Sequence, residues 1–100
     1  MKFNSFKEFY PYYLREHANR TCRQLHFVGT VGVLSIIVAA INLQNAKILF
    51  LIPVVGYGLA WIGHFVFEKN RPATFKHPFY SLLGDFQMFW DILRGKIKTF

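Results

Sequence analysis

Apolar residues fall along this chain in two long uninterrupted runs, bordered on both sides by segments in which aromatic and charged residues alternate. Leu25–Ala46 and Ile48–Phe67 carry no formal charge, and each approaches the roughly 20 residues with which a helix crosses a hydrocarbon core. The pattern predicts helices over residues 22–42 and 47–68. The polar stretch Asn42–Lys47 between them is short, so the two must run antiparallel as a hairpin. Residues 3–18 and 78–95 are neither long nor apolar enough to span. In the second of these, Leu82, Leu83, Phe86, Phe89, Trp90 and Leu93 recur at helical spacing, and Pro78 suits a helix start. The expected fold is an all-α membrane protein, a single domain over residues 1–100. It comprises an antiparallel two-span transmembrane hairpin flanked by N- and C-terminal amphipathic interfacial helices, four helices in total. Pro53 predicts a kink in the second span, and Gly29, Gly32, Gly56 and Gly58 leave room for close helix neighbours.

Composition sharpens this picture. Hydrophobic residues make up 53% of the 100 residues and aromatic residues 19%, more than a soluble domain of this size can bury. Twelve Lys and Arg stand against five Asp and Glu. The basic residues bracket the apolar runs instead of striping a polar fold, which points to membrane phosphates and away from nucleic acid. Lys2, Lys7, Arg15, Arg20 and Arg23 precede the first run, and Lys69, Arg71, Lys76, Arg94, Lys96 and Lys98 follow the second; only Lys47 sits at the tip. Both termini are therefore expected on the cytoplasmic side of a bacterial inner membrane or the endoplasmic reticulum. The opening MKFNSFKEFYPYYLREHANR is too charged to be read as a signal peptide. Tyr10, Tyr12, Tyr13, Tyr57, Trp61, Tyr80 and Trp90 are expected near the headgroup layer, and the lone Cys22 as a small buried filler. The hairpin leaves enough helix surface for a homo-oligomer.

The four histidines change the picture most. His26 and His64 lie at nearly equal distances from the hairpin tip, so both climb to the same interface on neighbouring helices. Glu68 follows His64 by four residues, on the same helical face. On one unbroken helix His17 would point away from His26. Thr21 followed by Gln24 is a capping-box pattern that places a new helix start near Thr21, and a turn before it lets His17 fold back over His26. Three imidazoles and one carboxylate then converge, a donor set that suits Fe(II), Mn(II) or Zn(II). His77 either joins them as a fourth imidazole or stays at the surface. Lys69 and Arg71 read as phosphate anchors or as a clamp for a substrate carboxylate. The spacing leaves open a metal-dependent lipid hydrolase or hydroxylase, a bis-histidine haem site, and a non-enzymatic assembly module.

Two segments, YYLREHANRTCRQLHFVGT and YGLAWIGHFVFEKNRPATF, resemble the Mpo-type family of small membrane proteins, which includes a yeast 2-hydroxy fatty acid dioxygenase. The matching pattern is His17, Asn19, His26 and Gly29, then Gly63, His64, Glu68, Lys69, Arg71, Pro72 and Ala73. The resemblance implies an Fe(II)-dependent dioxygenase of fatty acid α-oxidation, which takes a 2-hydroxy fatty acid and O2 and returns the fatty acid one carbon shorter. It implies catalytic and metal-binding roles for His17, His26 and His64. Glu68 would be a fourth ligand or would orient an imidazole, and Arg20, Lys69 or Arg71 would pair with the substrate carboxylate. Longer members carry additional apolar segments between the two motif halves, whereas this chain has one tight turn, as a compact member would.

Overall fold

A computed structural model describes residues 3–72 and 75–99, and the chain is helical throughout, with no strand among the described residues. Lys2 of the basic flank and Ala73 of the motif lie outside them. Helix α1, Phe6–Arg15, starts at Ser5, whose hydroxyl accepts the Glu8 N–H at 3.3 Å. Helix α2, Arg20–Asn42, starts at Asn19 and not at Thr21. Asn19 holds extended backbone angles and its Oδ1 accepts the Cys22 N–H at 3.1 Å. Asparagine caps a helix at least as well as threonine, so the turn comes two residues earlier than the capping-box pattern suggests.

At the tip Gln44 adopts a left-handed φ of 50° and the Asn45 N–H returns to the Ala40 carbonyl at 3.0 Å. A 3-10 stretch, Ala46–Phe50, leads into α3, Leu51–Ile62, and a π-helical turn, Gly63–Glu68, completes the ascent. Pro53 lies in the first turn of α3, where the change of winding just before it accommodates its missing N–H. Helix α4, Pro78–Leu93, packs on α1 and α2 at the end of the hairpin away from its tip. Thr99 closes the tail against α2, its carbonyl accepting from Arg20 Nε at 2.7 Å and Gln24 Nε2 at 2.9 Å.

The buried core is small and sits at this end: Phe9 and Tyr13 of α1 against Met88 and Ile92 of α4. Tyr13 is fully buried, not exposed at a headgroup layer, because its ring packs against Gly84, where a Cβ would come within 2.8 Å of it. Asp91, also buried, is satisfied by Tyr10 at 2.7 Å, Gln87 at 3.1 Å and an ion pair with Arg94 at 2.7 Å. Stacking of Phe27 on Phe89, with ring centroids 4.9 Å apart, joins α2 to α4.

The hairpin itself has almost no interior. Arg20–Asn42 and Ala46–Glu68 are each 23 residues, and their most apolar windows have mean hydropathies of 2.0 and 1.8, so both are long and apolar enough to cross a membrane. Only 22% and 11% of their most apolar windows are buried, which separates them from the core helices of a soluble domain. Ile41 is 69% exposed, Val54 69% and Phe50 80%. A continuous apolar surface of this kind needs a cover other than water.

Candidate metal centre

The turn between α1 and α2 delivers His17, the first turns of α2 deliver His26, and the π-helical turn delivers His64. All three are buried, at 1%, 6% and 2% exposure. His17 Nε2 lies 3.1 Å from His26 Nε2 and 2.9 Å from His64 Nε2. The rings stand nearly perpendicular to one another, with interplanar angles of 87°, 79° and 90°.

Their opposite nitrogens are all committed. His17 Nδ1–H donates to the Tyr13 carbonyl at 2.7 Å, and His26 Nδ1–H to the Cys22 carbonyl at 2.8 Å. His64 Nδ1–H donates to Asn70 Oδ1 at 2.8 Å. Asn70 can only present its oxygen there, since its Nδ2 donates to the Glu16 carbonyl at 3.1 Å. With each ring proton on Nδ1, three Nε2 lone pairs face one another with no hydrogen between them. Burial, reinforced by the two neighbouring imidazoles, holds His17 well below its ordinary pKa and keeps it neutral. Three converging lone pairs repel unless a cation lies among them, so the donor set fits a divalent metal.

Local backbone explains how His64 gets there. A Cβ at Gly63 would meet Cys22 Sγ at 2.9 Å and Cys22 Cα at 3.2 Å, so only glycine lets this turn approach α2. Lys69 takes a left-handed φ of 58°, and the Asn70 N–H returns to the His64 carbonyl at 3.0 Å. The reversal swings Asn70 back beneath the imidazole. Cys22 is buried within 4.8 Å of the histidine ligand atoms, but its Sγ lies 3.7 Å from His26 Nδ1, the nitrogen facing away from the other imidazoles.

The other candidate residues lie elsewhere. Glu68 accepts a hydrogen bond from the Asn19 N–H, so it braces the turn before α2 while Asn70 takes the place beside His64. The α-helical spacing of His64 and Glu68 does not apply, because π winding bonds i to i+5. His77 precedes α4, with its ring among Phe3, Phe9 and Tyr12 and apart from the three imidazoles. Arg20 is held by Thr99, and Lys69 and Arg71 are exposed.

From the imidazoles a cavity of about 280 Å³ runs between α2 and α3, past Gly29, Thr30, Gly56 and Ala60 to Val33 and Ile52, with Leu82 and Phe86 of α4 on its flank. Among the described residues no Lys or Arg lines it, and Asp85 is its one acid. The Tyr13 hydroxyl donates to Asp85 Oδ1, while the Tyr13 ring stacks on His17 with centroids 3.9 Å apart. Burial pushes the Asp85 carboxyl up to about 6 against the pull of that hydrogen bond. Neither Asn70, Tyr13 nor Asp85 was assigned to the site by sequence. The signal for Asn70 was its position directly after EK in the second motif; the other two carried none.

A family model described as 2-hydroxy-palmitic acid dioxygenase Mpo1-like matches residues 3–97. No curated protein and no solved structure matches the chain.

Proposed function

The chain belongs to the Mpo1-like family, and from that premise we propose that it is a membrane-embedded, Fe(II)-dependent dioxygenase acting on 2-hydroxy fatty acids. One observation carries the proposal: three bare imidazole nitrogens stand at the head of an apolar cavity that continues between the two long helices. A 2-hydroxy fatty acid has the matching shape, a small chelating head on a long apolar tail. When bound, Fe(II) would hold the hydroxyl and carboxylate together and bring O2 to the same carbon.

The chain's own residues do the rest. His17, His26 and His64 would hold the ion, with the Tyr13 and Cys22 carbonyls and Asn70 fixing each ring by its Nδ1–H. The cavity wall from Gly29 to Val33 and from Ile52 to Ala60 would take the acyl chain and hold the head in one orientation. Burial of all three imidazoles keeps bulk water from the reacting carbon. Arg20, Lys69 and Arg71 add positive potential at this end, which draws an anionic substrate and lipid phosphates toward it; contact inside the cavity falls to other groups. Atom balance makes O2 a sufficient oxidant: the hydroxy acid and O2 give the shortened acid, CO2 and water.

On this reading the two long helices cross the bilayer as a hairpin with both termini on the cytoplasmic side. The apolar surface of the hairpin and the basic residues flanking it support this.

The test is elemental analysis of protein purified anaerobically in mild detergent, beside His26→Ala, followed by turnover of 2-hydroxypalmitate with O2. The expected result is about one iron per chain, lost in the variant, and conversion to pentadecanoate with oxygen consumed. Stoichiometric zinc without oxygen uptake would replace the oxygenase by a hydrolase. Absence of metal from iron-supplemented protein would leave a non-enzymatic membrane module.

A further inference from the structure

A dioxygenase specific for 2-hydroxy acids needs a group that tells them from ordinary fatty acids, which are far more abundant and share tail and carboxylate. A buried hydrogen-bonding partner for the hydroxyl provides such discrimination, because it is left unpaired by the analogue that lacks the group. We propose that Asp85 is that partner, and that its carboxylate also takes the hydroxyl proton during turnover; the inference rests on the function proposed above.

Four observations support the assignment. Asp85 lines the same cavity as the three imidazoles and is the one acid among its described lining residues. The nearest rival, Glu68, is spent on the Asn19 N–H. Tyr13 holds Asp85 by one oxygen, Oδ1, and Oδ2 hydrogen-bonds to no described residue. The same Tyr13 ring lies flat on His17 at 3.9 Å, so a single side chain sets the carboxylate relative to the imidazole cluster. A carboxyl raised to about 6 by burial is a better base than an exposed one and still largely ionised at neutral pH.

In the step proposed, the substrate O–H bond breaks and a carboxyl O–H bond forms on Asp85. The bonding pair stays on the substrate oxygen, and no electron changes hands. No Lys or Arg stands among the described lining residues, so positive charge at the head of the cavity would come from the ion that His17, His26 and His64 would hold.

The experiment uses iron-loaded full-length protein in bilayer nanodiscs, comparing wild type with Asp85→Asn. The amide oxygen still accepts from Tyr13, so the cavity keeps its shape while the base is lost. Binding of 2-hydroxypalmitate and of palmitate is measured without O2, then turnover of 2-hydroxypalmitate with it. The expected result for Asp85→Asn is unchanged iron content and palmitate affinity. Its preference for the hydroxy acid should fall about tenfold or more and its turnover about 10²- to 10³-fold. Tyr13→Phe, which keeps the carboxylate and frees it to turn, should lose part of both, and it decides the matter if the asparagine variant does not fold. Undiminished preference and rate in Asp85→Asn, or in Tyr13→Phe where that variant decides, overturn the role of Asp85. A wild-type protein that neither prefers nor oxidises the hydroxy acid overturns the dioxygenase reading itself, and the assignment with it.

Discussion

Asn70 makes the clearest case at the scale of single residues, because its whole effect is exerted on another side chain. Its Oδ1 receives the His64 Nδ1–H, and its Nδ2 is anchored on the Glu16 carbonyl, so the imidazole can neither turn nor change tautomer. Asn70→Ala should retain the fold and lower metal affinity about 10- to 100-fold, measured by competition with a chelator of known affinity. Asn70→Asp should lose less, since a carboxylate still accepts from Nδ1. His26 and His64 were legible in the sequence because they lie at nearly equal distances from a recognisable hairpin tip, and His17 because a helix start just after it implied a turn that folds it back over His26. Asn70 was not, because its position depends on a left-handed φ at Lys69 that no propensity of lysine announces. Glu68 was placed beside His64 on an α-helical spacing, and π winding moved it to the Asn19 N–H.

At the scale of elements, four helices in the order found arise from periodicity and from two charge-free runs. The 3-10 stretch after the tip and the π-helical turn before Lys69 do not, since neither winding has a sequence signature of comparable strength. The π turn has a specific job. An extra residue per turn lets Gly63 press against Cys22 while His64 faces His17 and the chain can still reverse at Lys69. Gly63→Ala, whose Cβ would come within 2.9 Å of Cys22 Sγ and 3.2 Å of Cys22 Cα, should push this turn off α2 and carry His64 away from His17. Helix content by circular dichroism should then stay within error of the parent, while bound metal falls to background. Metal retained at parental stoichiometry would mean that the close approach of the π turn to α2 is incidental to the site.

For the whole molecule, the legible part was the excess of apolar surface over anything a chain of this length can bury, and the basic residues that bracket it. The partition of aromatics was not legible: Tyr13, alike in the sequence to Tyr10 and Tyr12, is the one wholly buried between α1 and α4. Trp61 and Trp90 do remain exposed, at 38% and 54%. In liposomes their fluorescence should be quenched more by lipids brominated high on the acyl chain than by lipids brominated near its end, as for rings at an interface. Stronger quenching from the chain ends would place both rings in mid-bilayer and displace the metal centre from the headgroup level.

The three imidazoles come from segments far apart in the chain, with 47 positions separating His17 from His64. An ion joining them would act as a staple. By the loop-closure reckoning used for cross-links, tying a loop of this length removes about 4 kcal/mol of freedom from the unfolded chain, a large sum beside a core of four main side chains. Metal binding would then complete the packing of the end that holds the histidines, while the long helices form without it. A protein completed only when its ion arrives has a lifetime set by nutrition as well as by temperature. Copies made while that ion is scarce would stay loose at the end that holds the three histidines, exposed to proteolysis, and the abundance of the protein would track the supply of the ion without any change in its synthesis.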